Sequence, residues 1–248
     1  MSTGLVLRSD DSGVAVLSLN RPEVLNALSP KLFEELRAHV DRLAGETETV
    51  GCVVLQGAGR SFSAGNDLNA IRAGERAASP HFQAETLDAL ERLPQPVIAS
   101  VQGHCYTGAL ELVLACDLLI VAESAKLADT HGKWGMTPTW GMSQRLPRRI
   151  GALRAKQLMW SGRAVNGRDA VAIGLANECV PDAELAARTL VLAREIAASS
   201  WFTLRTEKTL MREGAGLSPA EAIAYERANS PGAGPDMAER LKSFSARK

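Results

Sequence analysis

Residues 97–122 read VIASVQGHCYTGALELVLACDLLIVA. Two runs free of charge, 97–101 and 118–122, bracket this stretch, and neither alternates apolar with polar. Such runs fit strands covered on both faces, the kind found in parallel sheets. Between them, residues 106–116 carry apolar side chains at helical spacing and are expected to form a helix. Strand, helix and strand in that order place the chain in the α/β class.

The same grammar extends outward. Residues 50–56 predict another doubly covered strand. Residues 4–8 and 14–19 are short β-rich runs on either side of Asp10-Asp11-Ser12-Gly13, and so predict a hairpin. Ser29-Pro30 opens a helix whose apolar positions Leu32, Phe33, Leu36, Val40 and Leu43 keep helical spacing until Gly45. Residues 84–93 predict a helix that stops at Pro94-Gln95-Pro96. Beyond residue 152 the character shifts, with helices over 152–176 and a short strand at Cys179-Val180 before Pro181. Residues 182–247 are almost wholly helical in pattern, broken at 214–216 and 230–235. The expected organisation is a core over residues 1–190 and a helical region over 191–248. The latter carries stripes such as Leu210, Leu217, Ile223 and Leu241 and has too little core to stand alone. It should pack on the body or on a neighbouring subunit.

Composition excludes several classes. The chain has 248 residues, 28 basic against 28 acidic, for a formal net charge of zero. No basic excess or run offers a nucleic acid its counterion-releasing surface. The longest uncharged apolar stretches, 112–116 and 118–122, are far too short to span a membrane. Residues 1–13 lack an apolar segment of signal-peptide length, so a soluble cytoplasmic protein is expected. Cys52, Cys105, Cys116 and Cys179 are scattered, and the four histidines lack metal-ligand spacing. Neither a disulfide framework nor a metal site is expected.

Two glycine-bearing loops follow buried strands. The first, residues 57–68, reads GAGRSFSAGNDL and lacks both the third glycine of a dinucleotide fingerprint and the lysine of a P-loop. No G-x-S-x-G elbow occurs in the chain. The loop either brings backbone N–H groups close to a ligand or is a plain strand-to-helix turn capped by Asp67. The second, residues 102–111, leads into a helix start near Thr107, whose first N–H groups lack intrahelical acceptors. Such groups stabilise a developing oxyanion. Glu111 follows one turn later in a helix apolar nearly all round, where a carboxylate needs either a partner or a purpose.

Residues 19–28, LNRPEVLNAL, resemble the N-terminal signature of the crotonase (enoyl-CoA hydratase/isomerase) superfamily. Residues 62–68 and 103–111 are similar to that family's two oxyanion-hole segments. Pro138, Gly141, residues 144–148 (QRLPR) and Gly151 resemble its next block, and Ser161-Gly162-Arg163, Ala170, Gly174-Leu175 and Val180-Pro181 the one after. The resemblance runs in register from about residue 14 to 185. It implies a spiral of ββα units closed by a helical trimerisation region, and assembly as a trimer or a dimer of trimers. It also implies an acyl-CoA substrate and no separate cofactor, coenzyme A being part of the substrate. By this resemblance the N–H groups of Asn66 and Gly108 form the oxyanion hole for the thioester carbonyl. Ala64, Asp67, Leu68 and Asn69 wall the CoA arm, Arg21 lies near the CoA phosphates, and Glu111 is the first of two catalytic glutamates. Replacing Gly108 by proline is expected to remove one donor while the fold survives.

The chain departs from the family pattern at informative places. Counting back from Gly135 and Pro138 puts His131 where hydratases carry their second glutamate. It reads either as an acid/base group, suited by its ordinary pKa to neutral pH, or as a lining residue. Asp129 stands two residues before it and is a candidate to orient it. The usual three glycines before the first glutamate are Thr107-Gly108-Ala109 here, and a commonly basic position is Asn69. Lys242 and Phe244 are retained in the last helix. Trp134 and Trp140 read as core residues, and His104 beside Cys105 is not expected to pair with it, because neighbours on a strand point oppositely. Hydration of a 2-enoyl-CoA by Glu111 and His131 leads the functional readings. The alternatives are another enolate reaction (isomerisation, decarboxylation or hydrolysis) and a non-catalytic acyl-CoA-binding scaffold.

Overall fold

A computed structural model describes residues 4–245, so residues 1–3 and 246–248, and with them the ends of the expected core and tail, lie outside it. Nothing is described of the Phe244 side chain. The chain opens with the hairpin β1 (Val6–Asp11) and β2 (Val14–Leu19), turning at Ser12-Gly13, and continues into α1 (Pro30–Gly45). The Ser29 hydroxyl accepts the Leu32 N–H at 3.3 Å, and Pro30 occupies the first helical turn. Such a cap is worth about 1 kcal/mol. The five apolar residues expected to face inward are all buried.

Then follow β3 (Cys52–Gly57), α2 (Leu68–Arg72), α3 (Phe82–Glu91), β4 (Val97–Val101), β5 (His104–Tyr106), α4 (Gly108–Leu114), β6 (Leu118–Ala122) and β7 (Lys126–Ala128). The remainder comprises α5 (Met142–Ile150), α6 (Ala152–Ser161), β8 (Val165–Asn166), α7 (Gly167–Ala172), β9 (Glu178–Val180) and the helices α8 (Leu185–Ala197), α9 (Trp201–Gly214), α10 (Pro219–Asn229) and α11 (Met237–Ser245). One sheet has the order β1-β2-β3-β4-β6-β9, antiparallel between β1 and β2 and parallel elsewhere. A smaller sheet has the order β5-β7-β8.

The large sheet is covered on both faces, as its uninterrupted apolar runs require. On one face Leu17, Leu19, Val53, Leu55, Ala99 and Val121 join the α1 stripe, α3 and α4 in the main core. On the other, Val14, Cys52, Val54, Ile98 and Ile120 pack with Leu185 and Ala193 of α8. Buried Ser100 and Thr189 hydroxyls bond at 2.9 Å across that second interface. Full burial of each large aliphatic or aromatic side chain contributes about 1.5–3 kcal/mol, so both layers matter for stability.

Two stretches differ from the sequence expectation: within residues 152–176, expected to be helical, Val165–Asn166 form strand β8, and the helix expected to start at residue 106 starts later. Strand β5 runs through Tyr106, the residue expected to open that helix. Cys105 pairs with Leu127 of β7 and bridges Ser63, which draws its backbone straight. Thr107, at φ 52° and ψ −106°, then breaks direction, and α4 starts at Gly108.

Candidate active site

The loop after β3 runs back past two segments it must nearly touch. Leu28 N–H donates to the Gly65 carbonyl at 2.8 Å, and Asp67 N–H donates to the Leu28 carbonyl at 3.1 Å. In a parallel bridge of this kind the residue between, Asn66, turns its own N–H away from residue 28. Gly65 holds φ +94°, and a Cβ there would lie 2.5 Å from the Tyr106 carbonyl oxygen and 3.8 Å from the Gly108 nitrogen. The backbone at residue 65 therefore rests against the start of α4, an approach only glycine permits. Gly108 N–H is the first of α4 and has no acceptor within the helix. Two N–H donors on adjoining loops can hold one oxygen that gains negative charge.

Gly108 is also sterically bound to its neighbours. A Cβ there would lie 2.6 Å from the Trp140 ring and 2.7 Å from Asn66 Oδ1. The expectation that Gly108→Pro leaves the fold intact is therefore corrected. Proline would add that carbon, and the backbone of Thr107 is incompatible with a following proline.

Glu111 lies on the buried face of α4 at 2 % exposure. Its Oε1 accepts the backbone N–H groups of Trp140 at 3.0 Å and Met142 at 3.1 Å. Its other oxygen, Oε2, faces His131 Nε2 at 3.8 Å. Burial pushes the Glu111 carboxyl above its ordinary range, against the two N–H bonds and the histidine. His131 is itself buried, and its Nδ1 lies 2.7 Å from Asp129 Oδ1, which also accepts the His131 backbone N–H at 3.0 Å. Burial opposes the charged imidazole, but the bond and charge of Asp129, with the charge of Glu111, outweigh it and raise its pKa. The three side chains form an array Asp129–His131–Glu111, with a proton-carrying ring between two carboxyls.

The loop bearing this histidine is tied to the loop bearing Gly108. Thr107 N–H donates to the Ala128 carbonyl at 2.8 Å, Thr130 N–H donates to Thr107 Oγ1 at 3.1 Å, and the two threonine hydroxyls lie 2.5 Å apart. The threonine in place of a glycine was visible in the sequence; this bond was not, because it depends on an unusual backbone angle at Thr107.

The remaining residues singled out from the sequence fall into two groups. Ala64, Asn66, Leu68 and Trp134 line a cavity of about 200 Å³ together with Tyr106 and Met136. A second cavity, of about 510 Å³, shares Asn66 and is walled by Leu28, Ile71, Pro80 and Trp140. Asp67 lines that second cavity as well and caps α2, accepting the N–H groups of Asn69 at 3.0 Å and Ala70 at 3.1 Å. Arg21 Nη1 donates to Asp67 at 2.8 Å and to the Ala27 carbonyl at 2.6 Å. Burial pushes the Asp67 carboxyl up, but Arg21 and the capping amides outweigh it and hold the carboxyl low. Asn69 is exposed and lines neither cavity.

Trp140 meets Phe33 edge-on with ring centroids 5.0 Å apart, whereas Trp134 is 59 % exposed and is no core residue. His104 Nδ1 lies 3.0 Å from the Ser61 hydroxyl, and Cys105 is fully buried with its thiol pushed well above the ordinary range. No thiol–imidazole pair forms between them. Among the described residues no cluster of three or more His, Cys, Asp or Glu side chains could hold a metal ion, and no helix is long and apolar enough to cross a membrane.

Comparison with known proteins places this geometry in context. The family model described as enoyl-CoA hydratase/isomerase matches residues 9–240. A short-chain-enoyl-CoA hydratase of Clostridium acetobutylicum is 30% identical over 230 residues, which cover 91% of this chain and 88% of that one. Among solved structures, an enoyl-CoA hydratase from Bacillus anthracis superposes with a TM-score of 0.92 at 33% identity, covering 98% of this chain and 97% of its own. An enoyl-CoA hydratase/carnithine racemase from Magnetospirillum magneticum gives 0.85 at 26% identity, covering 100% and 94%. With a family model spanning nearly the whole chain, and a like fold in structures that share a quarter to a third of its residues, the chain belongs to the enoyl-CoA hydratase/isomerase family.

Proposed function

We propose that this hydratase/isomerase-type enzyme adds water across the double bond of a 2-enoyl-CoA, with Glu111 and His131 as its acid/base pair. The observation that carries the reading is their opposition at 3.8 Å, both buried, beside the loops of Asn66 and Gly108. A water molecule about 2.8 Å from each could sit at the apex between them. In this reading Glu111 Oε2 takes a proton from water as its oxygen bonds to C3. The thioester carbonyl becomes an enolate, held by the N–H groups of Asn66 and Gly108; one such donor is worth about 3 kcal/mol. His131 Nε2–H then gives a proton to C2, and a proton passing from Glu111 to His131 restores the pair. Ala64 and Leu68 flank the CoA arm in this reading. Arg21 and Asp67 act through the loop they brace, and Asn69 lies at its outer edge.

A second reading draws on the burial of Glu111. A carboxyl with a raised pKa can both remove and return a proton, which suits isomerisation of a double bond. One panel separates the readings: crotonyl-CoA and longer 2-enoyl- and 3-enoyl-CoAs, followed by loss of the conjugated thioester absorbance and by oxygen uptake from isotopically labelled water. Hydration incorporates the label and is lost in Glu111→Gln. Isomer formation without label supports the second reading, and acyl-CoA binding without turnover supports a non-catalytic scaffold. We further propose a cytoplasmic enzyme that assembles as a trimer or a dimer of trimers through the region after residue 190.

A further inference from the structure

We infer that Asp129 is a positioning residue for this reaction, fixing the His131 ring so that Nδ1–H points to Asp129 and Nε2 points to Glu111 and the substrate. The inference rests on the reading of His131 as the acid. Asp129 is 1 % exposed, and among the described residues its ionic partner is His131. A buried carboxylate without lysine or arginine needs another source of positive charge or of strong hydrogen bonds. The imidazole supplies it at 2.7 Å.

The turn leaves the carboxylate little choice of direction. On one side the Ala128 carbonyl accepts the Thr107 N–H, and on the other the Thr130 N–H donates to the Thr107 hydroxyl. Asp129 is thus held between two clamped residues, with its oxygen on both the backbone N–H and the ring of His131. Rotating the ring by half a turn would break the 2.7 Å bond and leave a buried charge unpaired. In the neutral ring the proton therefore stays on Nδ1, and Nε2 is the atom that exchanges a proton with the reacting carbon or water. The charged groups acting on the ring are Asp129 from its own turn and Glu111 from α4. Thr107 and Thr130, which brace the turn, are neutral.

A merely structural role is available as the competing account. Asp129 accepts the His131 backbone N–H and so could serve only to cap the short turn at 131–133. Asp129→Asn separates the two, because the amide oxygen can still cap the turn while the charge is gone. In full-length protein with isotopically labelled histidine, the four ring systems are followed by NMR, with His131→Gln assigning the signal. Wild-type His131 should titrate above its ordinary value and carry its neutral proton on Nδ1. In Asp129→Asn the titration should move down, and the alkaline limb of the rate profile should move with it. The maximal rate should fall on the order of 10-fold or more while KM stays within about twofold. Asp129→Glu should restore part of the titration shift.

An unchanged His131 titration in Asp129→Asn overturns the inference, as does a neutral wild-type ring protonated on Nε2, a measurement that needs no variant to fold. A parallel fall of rate and melting temperature with an unmoved pH limb also overturns it, in favour of the capping role. If His131→Gln keeps the full rate, the acid assignment fails, and with it the place of Asp129 in the reaction. If His131→Gln is inactive but Asp129→Asn leaves the ring unchanged, only the inference about Asp129 fails.

Discussion

At Glu111 the requirements of folding and of chemistry pull apart. One oxygen anchors the turn at residues 140–142, while the other faces His131 across an unbonded gap. Because burial raises its pKa, ionised Glu111 subtracts from stability, and the loss grows as pH rises from the ordinary carboxyl value through the raised folded one. Glu111→Gln keeps an acceptor for both N–H groups and removes the charge. Its rate should fall at least about 100-fold, while thermal melts show it equal to or above wild type, with the difference widening as pH rises from the ordinary carboxyl range through the raised folded value. His131 has the complementary sign. Its raised pKa means the charged ring adds stability below its unfolded value of about 6.5, a gain lost as pH climbs through the folded value. The same ionisation should set the alkaline limb of the rate, and His131→Ala should lower kcat about 100-fold with little change in KM. A pH profile unchanged in His131→Ala would show the ring to be a lining residue. Both residues were legible in the sequence, Glu111 because a carboxylate sits in an all-round apolar helix and His131 because family spacing runs through it. The N–H groups that grip Glu111 were not, since they come from residues 29 and 31 positions further along the chain.

At the scale of elements, the site exists because two loops with no sequence proximity are lashed together through Thr107. Its backbone at φ 52° and ψ −106° is a strained choice for a β-branched residue, of the order of 1–3 kcal/mol. The hydroxyl contact to Thr130 and the bond from the Thr130 N–H offset that strain. Two substitutions divide the contributions. Thr107→Val keeps the strain and loses the hydroxyl, and should destabilise the protein by about 1–2 kcal/mol in denaturant titration. Thr107→Gly loses both, so its stability should change little, yet its kcat should fall because only the backbone bond from residue 107 to the Ala128 carbonyl still holds the His131 loop to the Gly108 loop. Equal stability of the two variants would remove the argument for strain. The same residue shows where sequence reading ends. α1 could be read to its boundaries because cap, stripe and terminal glycine are all local signals. The reach of strand β5 through Tyr106 could not, because it is set by Ser63 and β7, partners that spacing along the chain does not reveal. The paired burial of β3, β4 and β6 was legible as uninterrupted apolar runs, although nothing in those runs named α8 as the cover for the second face.

For the whole molecule the decisive contrast lies between α8 and the helices after it. α8 runs across residue 190 and inserts Leu185 and Ala193 into the second core. By contrast, α9 and α10 bury none of their residues fully. They are moored to the body at a few points. Trp201 lies over Gly13 and Gly51, where any Cβ would strike its ring, Lys208 pairs with Asp117 at 2.6 Å, and Arg205 donates to the Thr47 carbonyl at 2.6 Å. Meanwhile Met211 is 77 % exposed, and Leu217 and Ile223 are also open to solvent. Contiguous apolar exposure of this kind marks an interaction surface. A second copy of the chain as its cover accords with the proposed assembly and leads to a measurable consequence. Subunits that stabilise one another melt at a temperature that rises with protein concentration. Wild type should therefore show a rising melting temperature across the micromolar range and an oligomer in light scattering. The double variant Met211→Glu, Ile223→Asp should run as a monomer, lose the concentration dependence and melt lower. The Asp129–His131–Glu111 array, built wholly within one chain, should survive in it, so His131 should still titrate above its ordinary value even where turnover has dropped. A wild-type protein that scatters as a monomer at micromolar concentration would leave the exposed face of α9 and α10 without its proposed cover.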